Sequence, residues 1–199
     1  MTKILKSAFL AGFLLISASL MSKDRDFSLS FGTATAKTVN FEVLNAQNIS
    51  LVIYNDNYGE VFSEKLGTEN SVIKSYNLDG LASGTYYLVA ESDQKIEKFK
   101  IKINADNTLE IEKTPFSEIN KPEYTISGNM VKLHLSGLKN SANITVTDFS
   151  ENIVYYSATK KAVNGEIDLT FDLNLKTADK YVITVEEGGN VFNKIITLN

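Results

Sequence analysis

Hydrophobic residues along this chain recur at every second position. In F-S-L-S-F, Phe27, Leu29 and Phe31 alternate with serines, and in V-N-F-E-V, Val39, Phe41 and Val43 alternate with polar residues. Leu51 and Ile53 alternate in L-V-I-Y, and Tyr86, Leu88 and Ala90 alternate with Tyr87, Val89 and Glu91. A period of two places one face of a strand on a core and the other in water. Ile96, Phe99, Ile101 and Ile103 continue the pattern, with Lys95, Lys98, Lys100 and Lys102 expected on the wet side. No segment carries a helical stripe.

Turn chemistry separates the strands. Asn55-Asp56-Asn57-Tyr58-Gly59 reads as a hairpin turn, because Asn, Asp and Gly tolerate positive φ. Val61 and Phe62 resume the strand, and Val72 to Tyr76 form the next. Asn104 to Asn107 is another turn cluster. T-L-E-I-E-K (108–113) is a short strand that either pairs back on its predecessor or opens a second unit. T-P-F-S-E-I-N-K-P (114–122) holds both prolines, which lack a ladder donor and are displaced to edges or connections.

Beyond the prolines the plan repeats. Val131, Leu133 and Leu135 share a face in M-V-K-L-H-L. Ile144 and Val146 alternate as Ile49 and Leu51 do. Ser150-Glu151-Asn152 makes a shorter turn, and Ile153 to Tyr156 matches the strand at 60–62. From there a constant offset of 95 holds: Phe171 and Leu173 fall on Tyr76 and Leu78, Tyr181 and Ile183 on Tyr86 and Leu88, and Ile196, Leu198 and Asn199 on Ile101, Ile103 and Asn104. Two repeated units of about seven short strands imply an all-β protein of two tandem immunoglobulin-like β-sandwich domains. In such sandwiches a tyrosine at the start of the sixth strand bonds back to the preceding connection. Tyr86 and Tyr181 stand at that place and are assigned as structural tyrosine corners.

The N-terminus follows another pattern. Lys3 and Lys6 precede an apolar run from Ala8 to Ile16, and small residues follow, which is the order of a signal peptide. The run is shorter than the roughly 20 residues a membrane-spanning helix needs. The expected organisation is a signal peptide at 1–22, one domain at 23–113, a linker at 114–121 and a second domain at 122–199. Beyond residue 22 the chain keeps 18 basic against 24 acidic residues, a formal charge of −6. That mildly acidic balance argues against nucleic acid or an anionic membrane as a partner. Cysteine is absent, so each domain must rely on buried apolar surface, and no lipid-modified cysteine exists. The expected location is outside the cytoplasm of a bacterium: periplasm, cell surface or extracellular space.

Three segments carry a family resemblance. I-S-L-V-I-Y-N-D-N-Y-G-E-V-F-S-E (49–64), Y-N-L-D-G-L-A-S-G-T-Y-Y-L-V (76–89) and K-I-E-K-F-K-I-K-I (95–103) resemble the C-terminal sorting domains of the Bacteroidota type IX secretion system. They are equally similar to small immunoglobulin-like domains of Bacteroides secreted proteins. The resemblance covers about 55 residues of the first unit. In the second unit Leu175 to Tyr181 lacks the glycine of the pattern. It implies the sandwich fold, a secreted context and, as an alternative function, a sorting or envelope-assembly role.

The search for reactive chemistry yields little. The one histidine, His134, alternates out of the apolar row with Lys132 and reads as a surface residue. There is no Cys nucleophile, Gly-x-Ser-x-Gly elbow or phosphate-cradling glycine loop. Glu187-Gly188-Gly189-Asn190 is hairpin chemistry. Glu110 and Glu112 share one face of a short strand, and a glycosidase pair needs defined separation across a cleft. Asp56 and Glu60, with Asn55 and Asn57, are weak calcium candidates without EF-hand spacing, and Asp106 is another. No cofactor is implied. Tyr54, Tyr58, Tyr87, Tyr155 and Tyr156 are candidates for exposed aromatic contacts, with Tyr58, in a turn, the best placed. These features point to a non-catalytic secreted or surface protein that acts in binding, adhesion or spacing. The expected partner is a protein or a glycan at the cell surface.

Overall fold

Strand-forming alternation fixes which side chains meet, and the computed structural model shows the pairing. It describes residues 26–32, 37–150, 153–173 and 178–198. The expected signal peptide at 1–22, Asn199, part of the Ser150–Asn152 turn and most of the connection before Tyr181 lie outside these residues. Every regular element among the described residues is a strand, and no helix there is long and apolar enough to cross a membrane. The chain divides into two compact units, with the division between Glu118 and Ile119.

Unit 1 contains β1 (Ser28–Phe31), β2 (Thr38–Ala46), β3 (Ser50–Asn55), β4 (Glu60–Lys65), β5 (Glu69–Asn77), β6 (Gly84–Glu91), β7 (Lys95–Ile103) and β8 (Leu109–Ile111). One sheet has the order β1-β2-β5 and the other β4-β3-β6-β7-β8, with β9 (Ser117–Asn120) also on β7. All registered pairs are antiparallel. This is the immunoglobulin-like order with the fourth strand paired to the third rather than to the fifth. Strand 108–113 is thus a hairpin partner of β7, with Ile101 opposite Ile111. Residues 114–121, expected as linker, contain β9, and the amide of Phe116 donates to the Lys98 carbonyl at 3.0 Å. Two prolines hid this pairing: both flank β9 and neither is inside it.

Facing sides of the two sheets make the core. Val39, Phe41 and Val43 from β2 meet Leu51, Ile53, Leu88, Phe99 and Ile101, all essentially without exposure. Burying each such side chain contributes about 1.5–3 kcal/mol. Phe31 on the first sheet meets Phe99 on the second edge-on at 5.1 Å, and Phe41 meets Tyr76 at 5.0 Å. Phe99, Ile101 and Ile103 define the inward row of β7, which makes Glu97 and Lys95 inward members too. Ile96 therefore faces outward, and Lys95 does not lie with the other lysines in water. Its ammonium binds Glu97 at 2.5 Å and sits 4.7 Å from the Phe27 ring.

Unit 2 contains β10 (Glu123–Ser127), β11 (Met130–Leu135), β12 (Ser141–Asp148), β13 (Val154–Lys161), β14 (Ile167–Asp172), β15 (Lys180–Glu187) and β16 (Asn190–Thr197). Its sheets have the orders β10-β11-β14 and β13-β12-β15-β16, the same plan. Leu88 pairs with Ile53 in unit 1, and Ile183 pairs with Val146 in unit 2. Val146 thus corresponds to Ile53 and Ile144 to Leu51. The sequence alignment of Ile144 and Val146 with Ile49 and Leu51 is displaced by one pleat. The offset of 95 holds only from the fifth strand onward, because the loops differ in length. Both units carry a register shift at the same place, after Ile53 and after Val146.

Candidate functional site

The outer face of the larger sheet in unit 1 carries aromatic side chains where solvent-facing strand positions are usually polar. β3, β6 and β7 run side by side there. Their register sets Tyr54 opposite Tyr87, Val89 opposite Lys98 and Glu91 opposite Ile96. The shift after Ile53 re-aims the end of β3 beside the following turn. In that turn the Asn55 side-chain oxygen accepts the amides of Asn57 at 3.0 Å and Gly59 at 2.8 Å. A Cβ at Gly59 would stand 3.0 Å from the Asn55 carboxamide, so a larger residue there would push that side chain by a few tenths of an ångström.

Tyr58 occupies the αL region, with φ 59, and its side chain is 83% exposed. Every other non-glycine residue with positive φ among the described residues is Asn, which tolerates that region. A bulky residue held there costs of order 1–3 kcal/mol. Phe116 arrives from the segment after β8. Its ring stands 5.6 Å from Tyr87, tilted by 57°, and remains half exposed. These rings, with Val89, Ile96, Glu91 and Lys98, line an open groove of about 430 Å³. That size falls in the range of small-molecule sites. Glu91 and Lys98 place one charge of each sign on its lining.

Unit 2 shows what the scaffold itself requires at these positions. Thr147 opposite Val182 replaces Tyr54 opposite Tyr87. Thr184 opposite Asn193 replaces Val89 opposite Lys98, with a 2.7 Å side-chain hydrogen bond. The fold closes without aromatic rings on this face.

The remaining candidates are dispersed. Tyr86 is buried and its hydroxyl donates to the Ala82 carbonyl at 2.9 Å, the back-bond of a tyrosine corner. Tyr181 is fully buried and meets Tyr155 edge-on at 5.3 Å. Tyr155 is partly exposed, and Tyr156 packs on Phe171 at 5.2 Å with its buried hydroxyl unpartnered. Both belong to unit 2, and the Tyr54 group to unit 1.

Asp56 lies exposed in the turn, and the Glu60 carboxylate accepts the Ser63 hydroxyl at 2.6 Å. Asp106 accepts the Thr108 hydroxyl at 2.7 Å and amide at 3.0 Å, and those bonds hold its carboxyl below the usual value. Among the described residues no three acidic or histidine side chains gather as a metal site. Glu110 accepts from the Asn104 carboxamide, and Glu112 pairs with Lys100 at 3.4 Å. His134 lies in the outward row with Lys132, as expected, and its Nδ1 meets the Asp168 carboxylate at 2.8 Å across the β11–β14 pair. A polar cleft elsewhere in unit 1 is lined by Asp26, Ser92, Asn45 and Asn48. Asp26 there is engaged by the Ser92 hydroxyl at 2.8 Å, and both asparagines are left-handed loop residues.

Sequence reasoning found three of the four rings and missed Phe116, which fell in the expected linker. It also placed Ile96 in the core. The signal for Ile96 was available: it breaks the parity of Phe99, Ile101 and Ile103.

No family model matches the sequence, and no curated protein matches it. Solved structures similar to it include a biofilm associated protein BSP domain, at 16% identity and TM-score 0.29, which covers 82% of this chain. A tetra-tandem repeat in the extending region of a large adhesion protein is similar at 16% identity and TM-score 0.25 over 87% of the chain. Native alpha-2-macroglobulin from Escherichia coli, spanning domains MG0-NIE-MG1, is similar at 12% identity and TM-score 0.27 over 90%. This chain spans 27%, 49% and 66% of those three chains respectively.

Proposed function

We propose that this chain is an exported, non-catalytic binding module whose recognition surface is the aromatic groove of unit 1. One observation carries the reading: Tyr54, Tyr58, Tyr87 and Phe116 line one open groove, while the matching strand face of unit 2 bears Thr147 and Val182. The rings therefore serve something other than closure of the sandwich. The arrangement of the titratable groups fits a binding role. The carboxylates of Glu60, Asp106 and Glu110 are engaged in turn and edge contacts, and His134 meets Asp168 on the other unit. The leader-like N-terminus motivates the exported setting.

The test is retention on a surface. Fluorescently labelled chain is incubated with intact bacterial cells and with extracted extracellular matrix. Saturable retention that is lost in a Tyr54→Ala/Tyr87→Ala variant is the expected result. Equal retention by the variant, with its thermal transition intact, overturns the assignment of the surface.

A further inference from the structure

We propose that the groove takes a neutral oligosaccharide, an inference that rests on the groove being a binding surface and adds the class of ligand. Four features select that class. First, the main chain beneath the groove is already used. β3 lies between β4 and β6, β6 between β3 and β7, and β7 between β6 and the β8 and β9 strands. No free strand edge borders the floor, so an extended peptide has no ladder to join. Recognition falls to side chains alone.

Second, those side chains include four rings, three of them with polar tips. A tyrosine presents an apolar face and a phenolic hydroxyl that both donates and accepts. A hexose is the complementary object, with a face of C–H groups and a rim of hydroxyls. Third, the groove is close to charge-neutral, since its lining holds one carboxylate, Glu91, and one ammonium, Lys98. A phosphorylated, sulfated or uronate-rich polymer calls for clustered unpaired cations, whereas the next outward lysines of β7 face carboxylates, Lys100 pairing with Glu112 at 3.4 Å and Lys102 standing opposite Glu110. The Lys98 ammonium and the tyrosine hydroxyls instead offer single donors and acceptors to sugar hydroxyls.

Fourth, Tyr58 is held where it costs the fold something. Its αL backbone suits Gly or Asn, yet the position holds a large ring that is 83% exposed at the rim of the groove. Strain kept at an exposed aromatic, with no packing return, marks a contact residue.

The experiment is an array that carries neutral oligosaccharides, sulfated and uronate oligosaccharides, and a set of extended peptides. Titration of the best neutral ligand by calorimetry follows. Binding to neutral oligosaccharides is expected, weakened about tenfold or more by Tyr87→Ala and by Phe116→Ala. Val182→Ala, at the position of unit 2 that matches Tyr87, leaves affinity unchanged. Tyr58→Gly weakens binding while raising the thermal midpoint, which separates lost contact from lost folding. The proposal is overturned by an array without neutral-glycan signal, by a preference for the anionic sugars or the peptides, or by neutral-glycan binding that survives Tyr87→Ala and Phe116→Ala. Failure of this inference is distinguishable from failure of the binding role. If cell retention needs Tyr54 and Tyr87 but survives periodate oxidation of the surface glycans, the groove binds something else and only the sugar assignment falls.

Discussion

The last long strand of each unit makes an instructive pair. β7 of unit 1 is covered along its outer edge by β8 and β9, whereas β16 of unit 2 is the edge of its sheet. Register shows which residues correspond: Phe99 pairs with Leu88, and Lys194 pairs with Ile183. On the covered strand the inward position is a phenyl ring with 1% exposure. On the open strand it is an exposed lysine. An inward-pointing charge on an edge strand is a recognised guard against edge-to-edge association. Two copies of one plan thus differ where their surroundings differ. The outer faces follow the same logic, with rings in unit 1 and Thr147 and Val182 in unit 2. What both units keep is scaffold, and what one unit alone carries is a candidate for function or protection.

Exchanging the two inward residues gives the largest expected effects. Phe99→Lys puts an unpaired charge in a closed core and is expected to cost unit 1 more than about 4 kcal/mol, enough to abolish its cooperative urea transition. A transition retained within about 1 kcal/mol of wild type breaks the correspondence. The reciprocal Lys194→Phe leaves folding intact and promotes association through β16, read as a concentration-dependent rise in sedimentation coefficient. Monomeric behaviour at all concentrations removes the protective role of Lys194.

The tyrosine corner comes next. Tyr86→Phe deletes the bond to the Ala82 carbonyl at a partly buried site and is expected to destabilise unit 1 by about 1 kcal/mol. A wild-type urea midpoint means that the bond is only geometric. Smaller again, and of opposite sign, is Tyr58→Gly. Relief of the αL backbone is expected to stabilise unit 1 by about 1 kcal/mol. The same change at Asn164 of unit 2, with φ 53, gains only a few tenths, because Asn already tolerates that region. Equal gains at both positions deny Tyr58 any special strain.

Much of this was legible in the sequence, and the remainder had physical reasons to be hidden. Alternation exposed the inward rows, and burial follows them: Tyr76 and Phe171 are each 9% exposed, and Leu78 and Leu173 are 5% and 2%. The corner at Tyr86 lay within four residues of its acceptor, so local spacing found it. The corner bond and the Leu81 amide to Leu78 carbonyl bond at 2.9 Å shape the Leu78–Tyr87 connection. The groove was harder, because Tyr54 and Tyr87 are neighbours only through the β3–β6 register. Period two assigns faces but not partners. Phe116 stayed hidden because its pairing to Lys98 is a single edge contact beside a proline. The displaced match of Ile144 arose from carrying the offset of 95 across a loop whose length differs.

The mildest test concerns pH and again sets one unit against the other. Glu97 pairs with Ala90 in unit 1, and Phe192 pairs with Val185 in unit 2, so a carboxylate stands where its counterpart is a ring. Burial, the main cause, pushes the Glu97 carboxyl above its usual value, helped by the charges of Glu118 and Asp26 and opposed by the Lys95 bond. A carboxyl that is raised on folding contributes its full stability below its unfolded pKa and loses it as pH rises through the folded one. Unit 1 should therefore lose stability as pH climbs above the ordinary glutamate value. Glu64 works in the other direction and in a lower window. The Lys74 bond, aided by the Tyr76 hydroxyl, holds it below the usual value, so its contribution is present above that value and lost as pH falls through the depressed one. The two windows lie on opposite sides of the ordinary glutamate pKa, and one variant separates them. Glu97→Gln is expected to flatten the fall on the upper side while leaving the acid limb set by Glu64. Urea midpoints of unit 1 measured across both limbs decide it: an upper slope that persists in Glu97→Gln assigns the pH dependence to another group.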